Sequence, residues 1–218
     1  MKKLTFVLGL LLTFQSCAQP IDIVEWNTPY FQITYSQSLE QPVAVFYRVA
    51  CTDGTASRKG LDFRTEEGIH TSDDADYYNN EWDKGHMAPA ASFNCTEDML
   101  WETFSYVNCA LQHEKLNRGV WKKLEQRERF LMDSVQAYLP VEVFIAVDFE
   151  TIDLLPTKAS LPTAFYNFET INYLPTGAAI PTGFYKEIVV GDKRECYWFA
   201  NQAPVSNQLS NYRCDCRN

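Results

Sequence analysis

Any fold this chain adopts has to accommodate the stretch from Asp83 to Glu125, DKGHMAPAASFNCTEDMLWETFSYVNCALQHEKLNRGVWKKLE, which concentrates nearly every side chain able to do hydrolytic chemistry. Asp-Lys-Gly-His ends a polar, turn-rich segment, where Gly85 is expected to free the backbone for an unusual conformation beside His86. Pro89 then closes the turn. Asn117 opens an amphipathic segment in which Trp121 and Glu125 follow at four-residue steps, on one ridge of a regular helix. One His, one Asn and one Glu could therefore converge on a single small site.

The residue types indicate the chemistry. An imidazole with an ordinary pKa of about 6.5 is mostly a free base at neutral pH, so His86 is a candidate general base. Asn117 offers a neutral carbonyl oxygen, which suits a hard cation such as Mg²⁺ that keeps most of its water. Glu125 lies eight residues further on, a rise of about 12 Å in a continuous helix. That is too far for both to ligate one ion, so Glu125 is expected to orient metal-bound water. A lone His in a loop, or a lone Asn ahead of a helix, is ordinarily structural, and His70 and His113 read that way. The joint spacing of His86 and Asn117 with Gly85, Trp121 and Glu125 sets those two apart and suits phosphodiester hydrolysis.

DKGHMAPAASFN followed by YVNCALQHEKLNRGVWKKLE resembles the DNA/RNA non-specific endonucleases of the ββα-metal class, an endonuclease G-like pattern. That pattern is Asp-Arg-Gly-His with Ala-Pro soon after, then Asn, then Asn-x-Gly-x-Trp-x-x-Leu-Glu. The resemblance extends to Phe31–Ala50, similar to the family's first strand pair, and to Ile180–Val190, similar to a late strand. It implies an α+β fold in which a strand pair and a helix present the site against a mixed or antiparallel central sheet with flanking helices. It implies that His86 is the general base, that Asn117 holds a single Mg²⁺ with Mn²⁺ as substitute, and that Glu125 ends the metal's hydration network. Asn108 becomes an auxiliary catalytic residue near the metal. An arginine upstream of the motif His contacts the scissile phosphate, with Arg58 the first choice and Arg64 the second. Two departures stand out. Lys84 replaces the usual Arg, keeping the charge but losing the two-pronged grip on phosphate. Leu111-Gln112 stands where Pro-Gln is common, a difference expected to concern loop geometry.

The chain opens with MKKLTFVLGLLLTFQSCAQ, where Lys2 and Lys3 precede an apolar run of about 11 residues. This reads as an export signal, too short to span a bilayer. Cleavage after Ala18 leaves a single nuclease domain over 19–218. Alternatively, Phe14-Gln15-Ser16-Cys17 resembles a lipoprotein box, with a signal over 1–16 and a lipid anchor on Cys17. Either route leaves Cys51, Cys95, Cys109, Cys196, Cys214 and Cys216, an even number in an exported chain, and all six are expected in disulfides. Cys214 and Cys216 are expected to pin the C-terminal tail. The rival reading is a zinc site built from His86, His113 and cysteines, which no CxxC or HExxH spacing supports.

A net charge of −9 and a pI near 4.8 are unusual for a protein that binds a polyanion. Its distribution softens the objection, because Lys115, Arg118, Lys122, Lys123, Arg127 and Arg129 crowd the segment carrying Asn117 and Glu125. Glu66, Glu67, Asp73, Asp74, Asp76 and Glu81 lie instead in the approach loop. A solvated helix face of alternating charge is the plainer reading of the same cluster.

Along the body, Phe31–Ser36 and Val43–Ala50 predict an antiparallel pair, and 51–83 a long irregular connection. Val120, Trp121, Leu124, Leu131, Val135 and Tyr138 predict one long helix from Asn117 that stops at Pro140. Val141–Val147 reads as a buried strand, and Ile188–Val190 with Tyr197–Ala200 as a late pair. Leu155–Tyr166 recurs as Leu174–Tyr185, and two copies are too few for a solenoid. In the first copy, Phe165 and Tyr166 either line a substrate groove or pack on the sheet.

The sequence thus implies an exported, Mg²⁺-dependent endonuclease gripping DNA and RNA by the phosphate backbone, with Lys84, Arg58 and Arg64 as phosphate contacts. The alternative is a catalytically weak extracellular polyanion-binding protein on the same fold.

Overall fold

Residues 22–134, 139–149 and 171–217 are described by the structure, a computed structural model. The chain begins with β1 (Ile23–Asn27), β2 (Phe31–Ser36) and β3 (Gln41–Arg48). Their composition is β-branched and aromatic; Phe31, Ile33, Tyr35, Val43, Val45 and Tyr47 are buried at alternate positions, and Thr34, Ser36, Gln41 and Ala44 between and beside them are buried too, so both faces of this part of the sheet are covered. The chain then leaves the sheet, returning as β6 (Val141–Asp148), β7 (Gly183–Val190) and β8 (Lys193–Ala200). The strand order is β1-β2-β3-β6-β7-β8 and every pairing is antiparallel. The sheet is therefore antiparallel throughout, the second of the two forms expected.

Between β3 and β6 the chain makes one excursion, and all of Asp83–Glu125 lies in it. It contains β4 (Trp82–His86) paired antiparallel with β5 (Cys109–His113), the short α1 (Glu97–Glu102) between them, α2 (Glu114–Leu116), a π-helical turn over Asn117–Trp121, and α3 (Lys122–Ser134). Thr96 caps α1 by accepting from the Met99 amide at 3.2 Å. Trp121 is fully buried, its ring 5.5 Å from Phe184 and 5.6 Å from Phe199, so the start of α3 is seated on β7 and β8.

The predicted single helix from Asn117 is corrected on one point. Gly119 takes φ −102° and ψ −113°, outside helical geometry, so the run from Asn117 opens as a π turn before α3, with α2 just ahead of it. Val135 and Tyr138 lie outside the described residues, as do the export signal, Cys17, and the first repeat copy with Phe165 and Tyr166. The late strand pair is longer than expected at eight residues each, joined by a tight turn in which Gly191 takes φ 56°. Leu111-Gln112 falls in the buried β5 ladder, not in a loop.

The cysteines depart from expectation. Cys51 pairs with Cys95, stapling the end of β3 to the segment after His86, and Cys196 pairs with Cys216. Among the described residues Cys109 and Cys214 have no disulfide partner. Cys109 is sealed in β5 with its sulfur 3.2 Å from the Tyr77 hydroxyl. Cys196 can take one partner, and Cys216 rather than Cys214 is the residue that pins the tail.

Peptide mapping of the denatured, unreduced protein after thiol alkylation should therefore find label on Cys109 and Cys214 and on none of the other four. Cys51→Ser should destabilise the fold by about 2–4 kcal/mol, since it releases a 44-residue loop. Denaturant melts of the variant under oxidising conditions measure this.

Candidate active site

The β4–β5 hairpin sets the position of His86. Gly85 faces Ala110 in the ladder, and a Cβ on it would fall 2.6 Å from the Gln112 Cβ and 2.7 Å from its Oε1. Gly85 does not take a positive φ. Its glycine is needed for close approach of the partner strand, not for the unusual backbone conformation expected from sequence. His86 ends the strand, and its ring packs against Phe63 at 4.7 Å and edge-on against Phe104 at 5.0 Å. Burial in this aromatic slot pushes the imidazole down to about 3, with the Arg58 charge adding to the effect. His86 is therefore neutral at physiological pH, and its Nε2 has no hydrogen-bond partner among the described residues.

Asn117 faces the same cleft, which encloses about 550 Å³. Its Nδ2 donates to Asp83 Oδ2 at 2.9 Å. Asp83 also accepts from Arg118, Nε to Oδ2 at 2.8 Å and Nη2 to Oδ1 at 2.5 Å. A carboxylate can only accept, so Asp83 dictates which end of the Asn117 amide points at it. The Asn117 Oδ1 is left without a protein donor among the described residues. Glu125 lines the cleft from α3. Burial pushes its carboxyl up to about 7, against the pull of the Lys186 charge and with a further push from Glu128.

Four cations reach the cleft besides Arg118: Arg58, Lys84, Lys122 and Arg129. Arg58 and Lys122 are exposed and have no ion-pair partner among the described residues. Arg129, one helical turn beyond Glu125, keeps a buried Nη1 without a partner among the described residues. Lys84 is held differently: its ammonium is bound by Asp74, and although burial alone would lower its pKa, hydrogen bonds to Asp74 and Tyr106 raise it.

Two expected site residues lie elsewhere. Asn108 is fully buried, and its amide is fully engaged: Oδ1 accepts from the Ala88 amide at 2.8 Å, while Nδ2 donates to Ala88 O and Thr103 O at 3.0 Å each. It braces the turn after His86 and has no group left for a metal. Arg64 stacks on Trp101 at 3.4 Å, donates to the Trp101 carbonyl at 2.7 Å, and pairs with Glu66 and Glu102. Its charge is used away from the cleft. The zinc arrangement also fails. His86 and His113 sit at opposite ends of the hairpin ladder, about 13 Å apart along the strands. Four cysteines are in disulfides, and among the described residues no cluster of three His, Cys, Asp or Glu side chains could hold a metal.

Sequence reasoning gave no role to Asp83, Phe63 or Phe104, and placed Arg129 only in the basic cluster. Asp83 opens the DKGH motif, and Arg129 follows Glu125 by four, so spacing carried a signal for both. The aromatic slot carried none, because it is assembled from Phe63 in the connection before β4 and Phe104, two residues past α1.

A family model for DNA/RNA non-specific endonucleases matches residues 14–218. Human mitochondrial endonuclease G is 34% identical over 86 residues, 38% of this chain and 29% of that protein. The nuclease of Serratia marcescens is 36% identical over 89 residues, 37% of this chain and 33% of that one. Mitochondrial nuclease EXOG of Danio rerio is 32% identical over 106 residues, 46% and 31% of the two chains. The matched stretch thus spans about a third of the length of these relatives. The crystal structure of an EndoG/EndoGI complex has the same fold, with a TM-score of 0.69 at 26% identity over 88% of this chain and 80% of that one.

The raised Glu125 carboxyl has a consequence for stability. The folded state holds that proton more tightly than the unfolded state, so its contribution is full below about 4.5 and is lost as pH rises through about 7. In chelator at pH 8, Glu125→Gln should be more stable than wild type by roughly 1–3 kcal/mol, and at pH 4.5 the gap should close. Urea melts at the two pH values decide it: an equal gap at both would show that Glu125 bears no ionisation cost.

Proposed function

This chain belongs to the DNA/RNA non-specific endonuclease family and has the ββα-metal nuclease fold, and on that premise we propose that it hydrolyses phosphodiester bonds of DNA and RNA with the help of one Mg²⁺. The observation that carries the reading is the neutral imidazole of His86, its Nε2 unpartnered among the described residues, in one cleft with Asn117, Glu125 and several cations. The donor set fits a hard, largely hydrated ion: one uncommitted carbonyl oxygen on Asn117, with Glu125 to accept from the ion's water. When bound there, Mg²⁺ would stabilise charge on the phosphoryl group and the leaving 3′ oxygen.

The chain's own residues supply the rest. His86 Nε2 takes a proton from the attacking water. In the free protein the Arg58 charge helps to make His86 a weak base. A phosphate seated on Arg58 offsets that charge and raises the imidazole toward its working range, so substrate binding itself prepares the base. Arg58, Lys122 and Arg129 neutralise the diester, and Asp83 keeps the Asn117 carbonyl aimed at the cleft. Among the described residues nothing in the cleft resembles an element that reads bases, so the contacts are to phosphate; with the 3′ oxygen as the leaving group, the products carry 5′-phosphates. Export, either as a single nuclease domain over 19–218 or with a lipid anchor on Cys17, agrees with the two disulfides.

A second reading, a catalytically weak polyanion binder, draws on the net charge of −9 and on the engagement of Lys84 by Asp74.

Purified protein should cut single- and double-stranded nucleic acid with little sequence preference, and only with Mg²⁺ or Mn²⁺ present. His86→Ala should lower kcat by at least about 10². Asn117→Ala should also raise the metal concentration needed for half-maximal rate, and Glu125→Ala should cost about 10- to 100-fold. Activity should fall steeply with salt. Full activity in His86→Ala would refute this mechanism. Binding without cleavage by wild type under any divalent metal would select the second reading.

A further inference from the structure

Lys84 stands where the family pattern has arginine, and its surroundings differ from those of the other cleft cations. Its ammonium is bound by the Asp74 carboxylate, with Asp62 3.6 Å away, and lies over the rings of Phe63 at 5.4 Å and Tyr106 at 5.2 Å. Tyr106 donates its hydroxyl hydrogen to the same Asp74 Oδ1 at 2.5 Å. Two donors from different elements thus converge on one anionic oxygen. Phe63 packs at once on Tyr106, at 5.6 Å, and on His86, at 4.7 Å, so a single ring registers these donors against the general base.

The acceptor is placed very differently from its donors. Tyr106 is buried, and the Lys84 side chain is 23% exposed. Asp74 starts a one-turn 3₁₀ segment, Asp74–Tyr77, in the acidic approach loop, and its side chain is 77% exposed. A tie to so exposed a carboxylate is weak in water. A backbone phosphate, which carries a full charge and two unesterified oxygens, can take its place.

We propose that Lys84 Nζ and Tyr106 Oη form a phosphate subsite beside His86, and that Asp74 occupies it as an internal stand-in which the nucleic-acid backbone displaces. This inference rests on the nuclease reading of the same cleft. It also accounts for the missing arginine: a lysine is a point charge, and the Tyr106 hydroxyl supplies the second donor that a guanidinium fork would carry. Asp74 then tunes affinity and leaves the chemical step alone.

The test compares wild type with Asp74→Asn, Lys84→Ala, Asp74→Asn/Lys84→Ala and Tyr106→Phe, using Asp192→Asn, in the β7–β8 turn, as the control for loss of one negative charge. Binding of a fluorescein-labelled short single-stranded oligonucleotide is read by anisotropy in chelator, and KM and kcat are read with Mg²⁺. Asp74→Asn should tighten binding about two- to fivefold and lower KM with kcat unchanged. Tyr106→Phe should weaken binding, and the Asp74 gain should vanish in the Lys84→Ala background. Equal or weaker binding by Asp74→Asn overturns the proposal, as does a gain that survives Lys84→Ala or is matched by Asp192→Asn. If no protein in the series binds or cuts the oligonucleotide, the nuclease reading falls with it. Binding and cleavage by wild type with an inert Asp74→Asn overturns the subsite alone.

Discussion

The cleft depends on how Trp121 is buried. Asn117 has to face solvent and substrate, and Trp121, four residues on, has to face the core, yet in a regular helix two residues so spaced share a face. The π turn over Asn117–Trp121 resolves the conflict, with Gly119 taking the non-helical backbone angles that the change of phase requires. The indole can then enter the core against Phe184 and Phe199 while the amide stays in the cleft beside Asp83. Had α2 run into α3 without interruption, either the indole would obstruct the cleft or the amide would be buried without a role.

The acidic balance of the chain does not carry over to the cleft, because cations and carboxylates are sorted by position. Of the six cations around Asn117 and Glu125, Arg127 is tied to Glu195, Lys123 to the Asn207 carbonyl, and Arg118 to Asp83 and Glu114. Lys122 and Arg129 are the members that face the cleft without such partners among the described residues. Arg58 joins them from the approach loop. A net charge describes solubility and long-range repulsion, whereas phosphate meets the field inside the cleft, where Asp83 is already neutralised by Arg118.

Much of this was legible in the sequence. Strands such as β2 and β6 show in the β-branched and aromatic character of their own residues, and the His86, Asn117 and Glu125 set shows in its spacing and in the family resemblance. The misses share a cause: they depend on what lies across the fold. Gly85 reads locally as a flexible residue, but its requirement comes from Gln112 on the opposite strand. Cysteine parity suggested three disulfides, but pairing needs proximity, and Cys109 meets the Tyr77 hydroxyl, not another sulfur. Asn108 and Asn117 are identical in type and both belong to the motif pattern. One is engaged by Ala88 and Thr103 on both sides of its amide, while the other is held by its nitrogen alone.

Beneath the cleft, β7 sends Lys186 into the interface with α3, where its ammonium is wholly buried, 2.5 Å from Glu128 Oε1 and 4.5 Å from the Trp121 ring centroid. Tyr47 of β3 donates to the other Glu128 oxygen at 2.6 Å. Such a pair is poor as a source of stability, because desolvating two charges offsets most of their attraction, and an apolar pair of similar volume would pack as well. What it provides is direction. A leucine in place of Glu128 would tolerate rotation or sliding of α3, whereas an ammonium on one strand and a hydroxyl on another fix the carboxylate at one place. Glu125 and Arg129 flank Glu128 on the same helix, so whatever fixes Glu128 fixes them. The Lys186 charge also acts on Glu125, opposing the burial that raises its carboxyl. The ion pair thus ties the rigid antiparallel sheet to the two α3 side chains that have to stay in register with His86 across the cleft.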